Sequence, residues 1–148
     1  MRDGSVTILP KGSSLRLPFR MVASVSSWHR MTIRSIDPDP RVRRLHDGAA
    51  ALGLPTVGDV HVADLVHVRG ELSEDDCQKL HSLLVDPLLQ KGTWSTPTAG
   101  RAVEIALLPG VTDTAADAVM AAADMLELDV QHASTGVRVE FQDGLDDT

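Results

Sequence analysis

The residues that most often carry chemistry are few in this sequence and widely spaced. It contains six histidines and one cysteine, and no Cys/His pair has the spacing of a zinc site. His61 and His67 share one face of a predicted strand, but they are six residues apart, which is too far for direct co-ligation of one ion. We therefore interpret the histidines as structural or surface residues and predict no metal site.

Cys77 and the carboxylates have simple structural interpretations. Cys77 lies on an apolar helical stripe without an adjacent basic residue, so we predict a small core residue rather than a reactive thiol. Glu74, Asp75 and Asp76 fill the first turn of a predicted helix, where the helix dipole favours negative charge. No pair of carboxylates stands out as acid and base, and we predict no catalytic residue.

The glycines do not form a nucleotide cradle. No Gly-x-Gly cluster occurs, and four glycines of the second half stand alone: Gly100, Gly110, Gly136 and Gly144. Residues 134–136 (Ser-Thr-Gly) at a predicted strand bend could receive an anion on backbone N–H groups, although a plain turn is the favoured interpretation. We expect no cofactor in this chain.

Composition and charge restrict the class of protein. The 148 residues are 43% apolar but only 3% aromatic, so the core of one domain, or of two small ones, must be built from Val, Leu, Ile and Ala. Residues 1–36 carry six basic residues and one acid, whereas the remainder carries eight basic and twenty acidic residues. This acidic body argues against duplex nucleic acid as a ligand. No apolar run approaches the roughly 20 residues of a membrane span and no signal peptide is convincing, so we expect a cytoplasmic protein.

The longest regular stretch, Asp59 to Trp94, predicts a strand, a helix and a returning strand. Asp64 shares its register with a set of valines, and we expect it to mark a bend or a bulge. The valines recur at spacing two along the first strand: Val60, Val62, Val66 and Val68.

The helix within this stretch has clear start and stop signals. Ser73 can act as its N-cap, and the helix stops before Pro87, because a residue that precedes proline is pushed out of the α region. An apolar stripe recurs at helical spacing along the helix: Cys77, Leu80, Leu83 and Leu84.

Another strand and helix precede this stretch. Residues 31–36 predict a short strand, and Asp39 and Pro40 suit the N-cap and first position of a helix over 40–52. Gly53 suits the left-handed position after the helix. The predicted buried stripe of this helix is Val42, Leu45, Ala49 and Leu52.

These elements predict an α+β fold. If the long strand is a bent pair, the order is the β-α-β-β-α-β plan of ferredoxin-like folds, with both helices on one face of an antiparallel sheet. The predicted elements of the first half are strand 31–36, helix 40–52, strand 57–69, helix 74–85 and strand 88–94.

The second half repeats part of this order. Residues 102–108 predict a strand, Thr112 or Asp113 caps a helix, and residues 129–141 form a second long extended run. The offset of about 70 residues predicts an internal duplication, of which the second copy is a partial βαβ unit. We expect a partner to complete that copy, or a longer chain of which this is the front.

The predicted domain organisation follows from these elements. It comprises a disordered basic leader over 1–30, an α/β module over 31–95, a linker over 96–101, a partial second module over 102–143 and an acidic tail over 144–148.

Three short motifs and the order of elements from Met31 to Trp94 resemble a known family. Leu83 to Gln90 resembles the helix end and edge strand of PurS, the small non-catalytic subunit of phosphoribosylformylglycinamidine synthase, and of the PurS-like front end of the fused synthase. Leu108 to Asp113 and Ala133 to Arg138 resemble the start of a further PurS-like segment in the long fused forms.

The resemblance implies an assembly role in an ATP- and glutamine-dependent ligase of purine biosynthesis. The implied partners are a synthetase (PurL-like) part, which would hold ATP and magnesium, and a glutaminase (PurQ-like) part with its own catalytic triad. The module would bridge the two and help to retain ammonia, and the isolated chain would not be catalytic. A homo-oligomer is also compatible with the resemblance.

Two kinds of site follow from these interpretations. As an assembly module, the chain should expose apolar sheet edges that pair with a partner strand. The candidate residues of those edges are Leu88, Leu89, Trp94, Val137, Val139 and Phe141. The alternative is a regulatory module of the ACT type, because the strand-to-helix corner at residues 109–111 resembles the loop where those domains hold small amino acids. A free-standing enzyme is the least favoured class.

Overall fold

The computed structural model describes residues 26–54, 58–95 and 100–142 of the chain. The predicted linker is only partly within these ranges, and the predicted tail and most of the predicted leader lie outside them. The elements in chain order are β1 (Ser27–Ser35), α1 (Pro40–Ala51), β2 (Asp59–Gly70), α2 (Glu74–Leu84), β3 (Gln90–Trp94), β4 (Ala102–Ala106), α3 (Thr114–Met125) and β5 (Val130–Gln142).

The five strands form one antiparallel sheet in the order β3-β1-β2-β5-β4. The even-numbered valines of β2 lie under all three helices. Val66 and Val68 belong to the core under α2 and α3, and Val60 and Val62 pack with Val42 of α1. Because alternate residues of a strand point to the same side, the three helices cover one face of the sheet. The predicted α+β class is therefore confirmed.

The central strand β2 is continuous, so the bent pair expected for a βαββαβ plan is absent from it. Asp64 pairs in regular register with Ile33 on one side and Val137 on the other, and the expected bulge at this residue is wrong. The register shift lies instead between Arg69 and Gly70. The Asp64 carboxylate accepts from Arg41 of α1, and this ion pair accommodates a charge in the strand without a bulge.

The helices begin where the sequence signals place them. Asp39 and Ser73 accept backbone N–H bonds from the first turns of α1 and α2, and Pro40 occupies the first turn of α1. Asp113, rather than Thr112, caps α3. Gly53 has a φ of +68°, as expected for the left-handed residue after a helix.

The strand boundaries differ from prediction where pairing partners decide them. β1 begins at Ser27 instead of residue 31, because Ser27 pairs with Gly70 at the far end of β2. Residues 27–30 were expected within a disordered leader and are instead part of the sheet. β4 ends at Ala106 instead of residue 108, and β3 begins at Gln90.

The larger core lies between the sheet and the pair α2 and α3. Leu80, Met31 and Val68 are its largest fully buried side chains. Leu83 was predicted on the buried stripe of α2, but it is 49% exposed. The residues of α2 that pack against the core are Leu80, which is buried, and Leu84, which is half-buried. A smaller buried cluster of Val60, Val62 and Val139 lies under α1. No residue of α1 itself is buried.

Two units of the fold have the same internal plan. The first βαβ unit consists of β1, α1 and β2, and the second consists of β4, α3 and β5; in each, two adjacent antiparallel strands are joined by a 12-residue helix. The helix caps Asp39 and Asp113 are 74 positions apart, as are the left-handed residues Gly53 and Glu127 that follow the helices. In the central strands the equivalent residues are 71 positions apart, since Met31 pairs with Val66 and Ile105 pairs with Val137. β2 and β5 pair antiparallel, so the pairing pattern has an approximate twofold axis at the Leu65–Gly136 pair.

Candidate docking surface

The two βαβ units differ in what covers them. In the first unit, α2 packs over β1, so that Met31 is 0% exposed and Ile33 is 7% exposed. The residues 74 positions later, Ile105 and Leu107 of the second unit, are 57% and 51% exposed. Within the described ranges, no helix occupies the position beside β4 that α2 occupies beside β1. We call the exposed side chains Val103, Ile105 and Leu107 the β4 surface.

The side chains of the β4 surface belong to the face of the sheet that carries the helices. Val103 pairs with Val139 and Ile105 pairs with Val137, and both partners belong to the cluster under α1. Leu107 lines a cavity beside α3. The β4 surface is therefore an apolar continuation of the core that water reaches, which is the kind of surface that docks a partner.

The helix α1 is also exposed, because no described helix packs beside it. Leu45 of α1 is 42% exposed, whereas Val119, its counterpart 74 positions later in α3, is 4% exposed. The helix α3 is buried because α2 packs beside it, and α1 has no described neighbour of that kind. The prediction of a buried stripe on α1 is wrong: Val42 packs toward the sheet, but no residue of α1 is buried, and Leu52 after the helix is 77% exposed.

Among the predicted edge residues, Leu88, Leu89 and Trp94 lie at one boundary of the sheet. Leu88 and Leu89 form the turn before β3 and are 83% and 56% exposed. Trp94 is half-buried, and its indole Nε1–H donates to the carbonyl oxygen of Cys77 at 3.0 Å. In the described sheet, β3 pairs only with β1, so its other backbone edge is unpaired.

Val137, Val139 and Phe141 were also expected at an edge, and the structure places them in the interior of the sheet. β5 lies between β2 and β4, so Val137 pairs with both Asp64 and Ile105. The second boundary of the described sheet is β4. The alternating apolar residues of β5 are compatible with a strand at an edge or inside the sheet, and the pairing with β4 decides between them.

An open cavity of about 510 Å³ lies at the corner between β4 and α3. Its lining includes Asp64, Ile105, Asp113, Val119 and Thr135. The Asp113 carboxylate accepts from the backbone N–H of Thr135 at 2.7 Å and from the Thr135 hydroxyl at 2.9 Å. Residues 134–136 lie within β5 and pair regularly with β2, so the favoured interpretation as a turn is wrong. The alternative that they receive an anion is wrong at Thr135, because its N–H already donates to a carboxylate.

The Asp113 carboxyl is stabilised in its charged form by these contacts. Burial by itself raises its pKa, but hydrogen bonds from the backbone N–H groups of Ala116 and Thr135 and from the Thr135 hydroxyl outweigh burial and lower the pKa below its usual value. Asp113 thus lies in the cavity wall because it caps α3 and binds Thr135.

The opposite face of the sheet carries a chain of alternating charges. Arg138 donates to Glu104 and to Glu140, at 2.7 Å in each case, while Arg30 pairs with Glu104 and Arg34 pairs with Glu140. Arg138 is only 7% exposed, so these carboxylates compensate a buried charge. The hydrogen bond from Arg138 is the main cause that lowers the pKa of Glu104, and burial opposes it.

Cys77 and the nearest histidines have structural positions. Cys77 is half-buried, and its Sγ lies 3.8 Å from His29 Nδ1. Burial raises the pKa of the Cys77 thiol, with further contributions from Asp76 and Glu74, which disfavours a reactive thiolate. His81 Nε2 contacts the carbonyl oxygen of Gly92 at 3.1 Å. In the ranges that the structure covers, no group of three or more His, Cys, Asp or Glu side chains is placed to hold a metal ion.

Sequence reasoning identified strand 102–108 but missed its exposure. The apolar residues Val103, Ile105 and Leu107 recur at spacing two, but any half-buried strand shows the same spacing.

No described helix is long and apolar enough to cross a membrane. No protein-family model, no curated protein and no solved structure matches this chain.

Proposed function

We propose that this chain is a non-catalytic assembly and ammonia-handling part of phosphoribosylformylglycinamidine synthase in de novo purine biosynthesis. In this role it bridges a PurL-like synthetase part and a PurQ-like glutaminase part in the cytoplasm. The proposal rests on the resemblance of Met31–Trp94 to PurS. The single observation that supports an assembly role is the β4 surface, an apolar face left open at the boundary of the sheet.

An internal duplication of a PurS-like module is part of this proposal. It is supported by the equal lengths of α1 and α3 and by the constant 74-position spacing of their caps and of the left-handed residues behind them. In this interpretation β1 to β3 form a whole module, and β4 to β5 form a partial one. The counterparts of α2 and β3 are absent from the described second unit.

The ATP and magnesium sites of the proposed complex belong to the synthetase part, and the glutamine-hydrolysing triad belongs to the glutaminase part. The contribution of this chain is to bury its apolar surface against them and hold them together, which requires no reactive side chain of its own.

Reconstitution tests this function. The purified chain is mixed with the synthetase and glutaminase parts, and the mixture is analysed by size-exclusion chromatography with light scattering. We expect one complex that contains all three, and glutamine-dependent amidine formation that falls when the chain is omitted while ammonia-dependent formation persists. A chain that remains a separate monomer, with no effect on glutamine-dependent turnover, would contradict the proposal.

The cavity at the β4–α3 corner favours one second candidate, an ACT-like module that binds a small amino acid. Its volume of about 510 Å³ suits a small ligand, and residues 112–115 of its lining directly follow the corner at residues 109–111 where such a ligand was expected. A thermal-shift screen with the common amino acids distinguishes this function. A ligand present at 100 times its Kd stabilises the fold by about 2.7 kcal/mol and raises the melting temperature by several degrees. Unchanged melting with every amino acid removes this candidate.

A further inference from the structure

We propose that the β4 surface is the docking site for a helix followed by an extended strand, supplied by a partner chain. The helix lies beside α1 over the β4 surface, and the strand pairs antiparallel with the free edge of β4. This inference rests on the proposed assembly function and specifies the kind of segment that the partner must offer.

The elements that follow the first unit, α2 and β3, pack on it and provide a template for this docking. There α2 places the fully buried Leu80 against the sheet, and the chain then returns as β3, which pairs antiparallel with β1. Trp94 of β3 lies opposite Met31, and Gly92 lies opposite Ile33. One helix and one strand together thus close the helix-bearing side of the first unit and extend the sheet.

The approximate twofold axis transfers this arrangement to the second unit. Ile105 and Leu107 occupy the positions of Met31 and Ile33, because Met31 pairs with Val66 and Ile105 pairs with Val137, and the axis exchanges these two partners. Leu45 of α1 likewise occupies the position of Val119 of α3. A segment with the form of α2 and β3 would therefore cover β4 and pack against α1 at once.

The length of β4 provides an independent observation. In β1 the last two residues, Arg34 and Ser35, have described pairing partners only in β3, namely Lys91 and Gln90. The corresponding residues of the second unit, Leu108 and Pro109, are outside any strand, and Leu107 is too. β4 is therefore shorter than β1 at the end that β3 holds extended in β1. A partner strand that pairs with β4 should extend it through Leu107 and Leu108.

The chemistry of the required segment follows from the surface. Its helix needs apolar residues at helical spacing to cover Ile105 and Leu107. Its strand needs a small residue near the helix end, as at Gly92, where a Cβ would lie 2.5 Å from Val85 Cγ2.

Hydrogen–deuterium exchange of the reconstituted complex tests this docking. We expect the amides of residues 103–108 and the exposed side of α1 to gain at least about tenfold protection when the synthetase and glutaminase parts are present. The variant Ile105→Asp should weaken the complex at least about tenfold in Kd, because a carboxylate would be buried in an apolar interface. The control is Met125→Asp, at an apolar and more exposed position at the end of α3, which should bind as the parent does.

Circular dichroism and thermal melting of both variants show whether they remain folded, and Ile105→Ser serves as a milder second variant if Ile105→Asp does not. If a complex forms with residues 103–108 unprotected, and neither Ile105→Asp nor Ile105→Ser weakens it, this docking is overturned and the assembly function stands. A chain that binds neither part overturns both. Protection of the same residues that increases with the concentration of this chain alone would assign the surface to a second copy and overturn the partner segment.

Discussion

At the scale of single residues, the polar side chains near the helix starts connect each helix to a central strand. In the first unit Asp39 caps α1, and Arg41 bridges it to Asp64 of β2, with the bond to Asp39 as the main cause that raises the pKa of Arg41. In the second unit Asp113 caps α3 and binds Thr135 of β5 directly. The capping carboxylates therefore fix both the start of a helix and its position over the sheet.

Replacement of Asp113 should show both roles. We expect Asp113→Ala to lower the free energy of unfolding by about 1–2 kcal/mol, since an N-cap bond and the bonds to Thr135 are lost together. Because the folded pKa of Asp113 is lowered, its contribution is complete above its usual pKa and is lost as the pH falls through the folded value.

Urea titrations at pH 7 and at about pH 3 measure this difference, which should shrink at the lower pH. Asp117→Ala, in the first turn of α3 but exposed, is the control and should cost less. An Asp113→Ala variant that is as stable as the parent at pH 7 would contradict this role.

Two glycines should respond to alanine in opposite directions. At Gly136, a Cβ would lie 2.7 Å from the backbone oxygen of Ile105, so Gly136→Ala must push β4 away from β5, at a cost of about 1–3 kcal/mol. At Gly48 in α1 nothing lies within 4 Å, and Gly48→Ala should stabilise the helix by up to about 1 kcal/mol.

Thermal melting of the two variants measures both effects, with Gly100→Ala as a neutral control in open space. Equal melting of the Gly136→Ala variant and the parent would show that β4 is not held against β5 at this point.

At the scale of elements, α2 determines how much of the helix layer is buried. It packs against both the sheet and α3, and α3 has four buried residues as a result, whereas α1 has none. A helix that packs on a sheet alone exposes both of its flanks, and a second helix beside it removes one of them from water. The stability of the described fold should therefore depend on α2 and α3 far more than on α1.

Two leucines of α2 test this dependence. Leu80→Ala should destabilise the protein by about 2–5 kcal/mol, because Leu80 is 0% exposed and its removal leaves a cavity. Leu83→Ala, the same change at a residue that is 49% exposed, should cost much less. Chemical denaturation with urea compares them, and equal losses would mean that the packing of α2 differs from that described.

At the scale of the whole molecule, charge is segregated between the two faces of the sheet. The face without helices carries a chain of ion pairs contributed by β1, β4 and β5: Arg34, Glu140, Arg138, Glu104 and Arg30. The two carboxylates there have lowered pKa values. In Glu104 the hydrogen bond from Arg138 is the main cause. In Glu140 burial by itself raises the pKa, but the hydrogen bonds and charges of Arg138 and Arg34 together outweigh burial. This face is therefore held by ion pairs rather than by a layer of helices.

Acid should weaken this face. Because the folded pKa values of Glu104 and Glu140 are lowered, their stabilisation is present above the usual glutamate pKa and is lost as the pH falls through the folded values. We expect Glu104→Gln to destabilise the protein at pH 7 by roughly 1–3 kcal/mol and to flatten the loss of stability between about pH 5 and pH 3.

Unfolding in urea across this pH range provides the measurement. Glu71→Gln, at an exposed residue without a described ion pair, is the matched control. A pH dependence that is identical in the Glu104→Gln variant and the parent would show that the charge chain does not contribute to stability.

The sequence alone determined the local features of this protein. Asp39, Ser73 and Asp113 as caps, Gly53 as the left-handed residue and the α+β class all depend on a few neighbouring residues or on a short period. Such signals act within one element, where the backbone satisfies its own hydrogen bonds.

Only the tertiary structure decided which strands are neighbours, and with them the candidate docking surface. The alternation of Val137, Val139 and Phe141 in β5 is the same whether that strand lies at an edge or inside the sheet, and so is that of Val103 and Ile105 in β4. Strand alternation specifies which side of a strand is buried, but the partner along its backbone comes from residues distant in the chain. The position of β4 at the boundary, and the absence of a described helix beside it, therefore could not be read from the pattern of apolar residues.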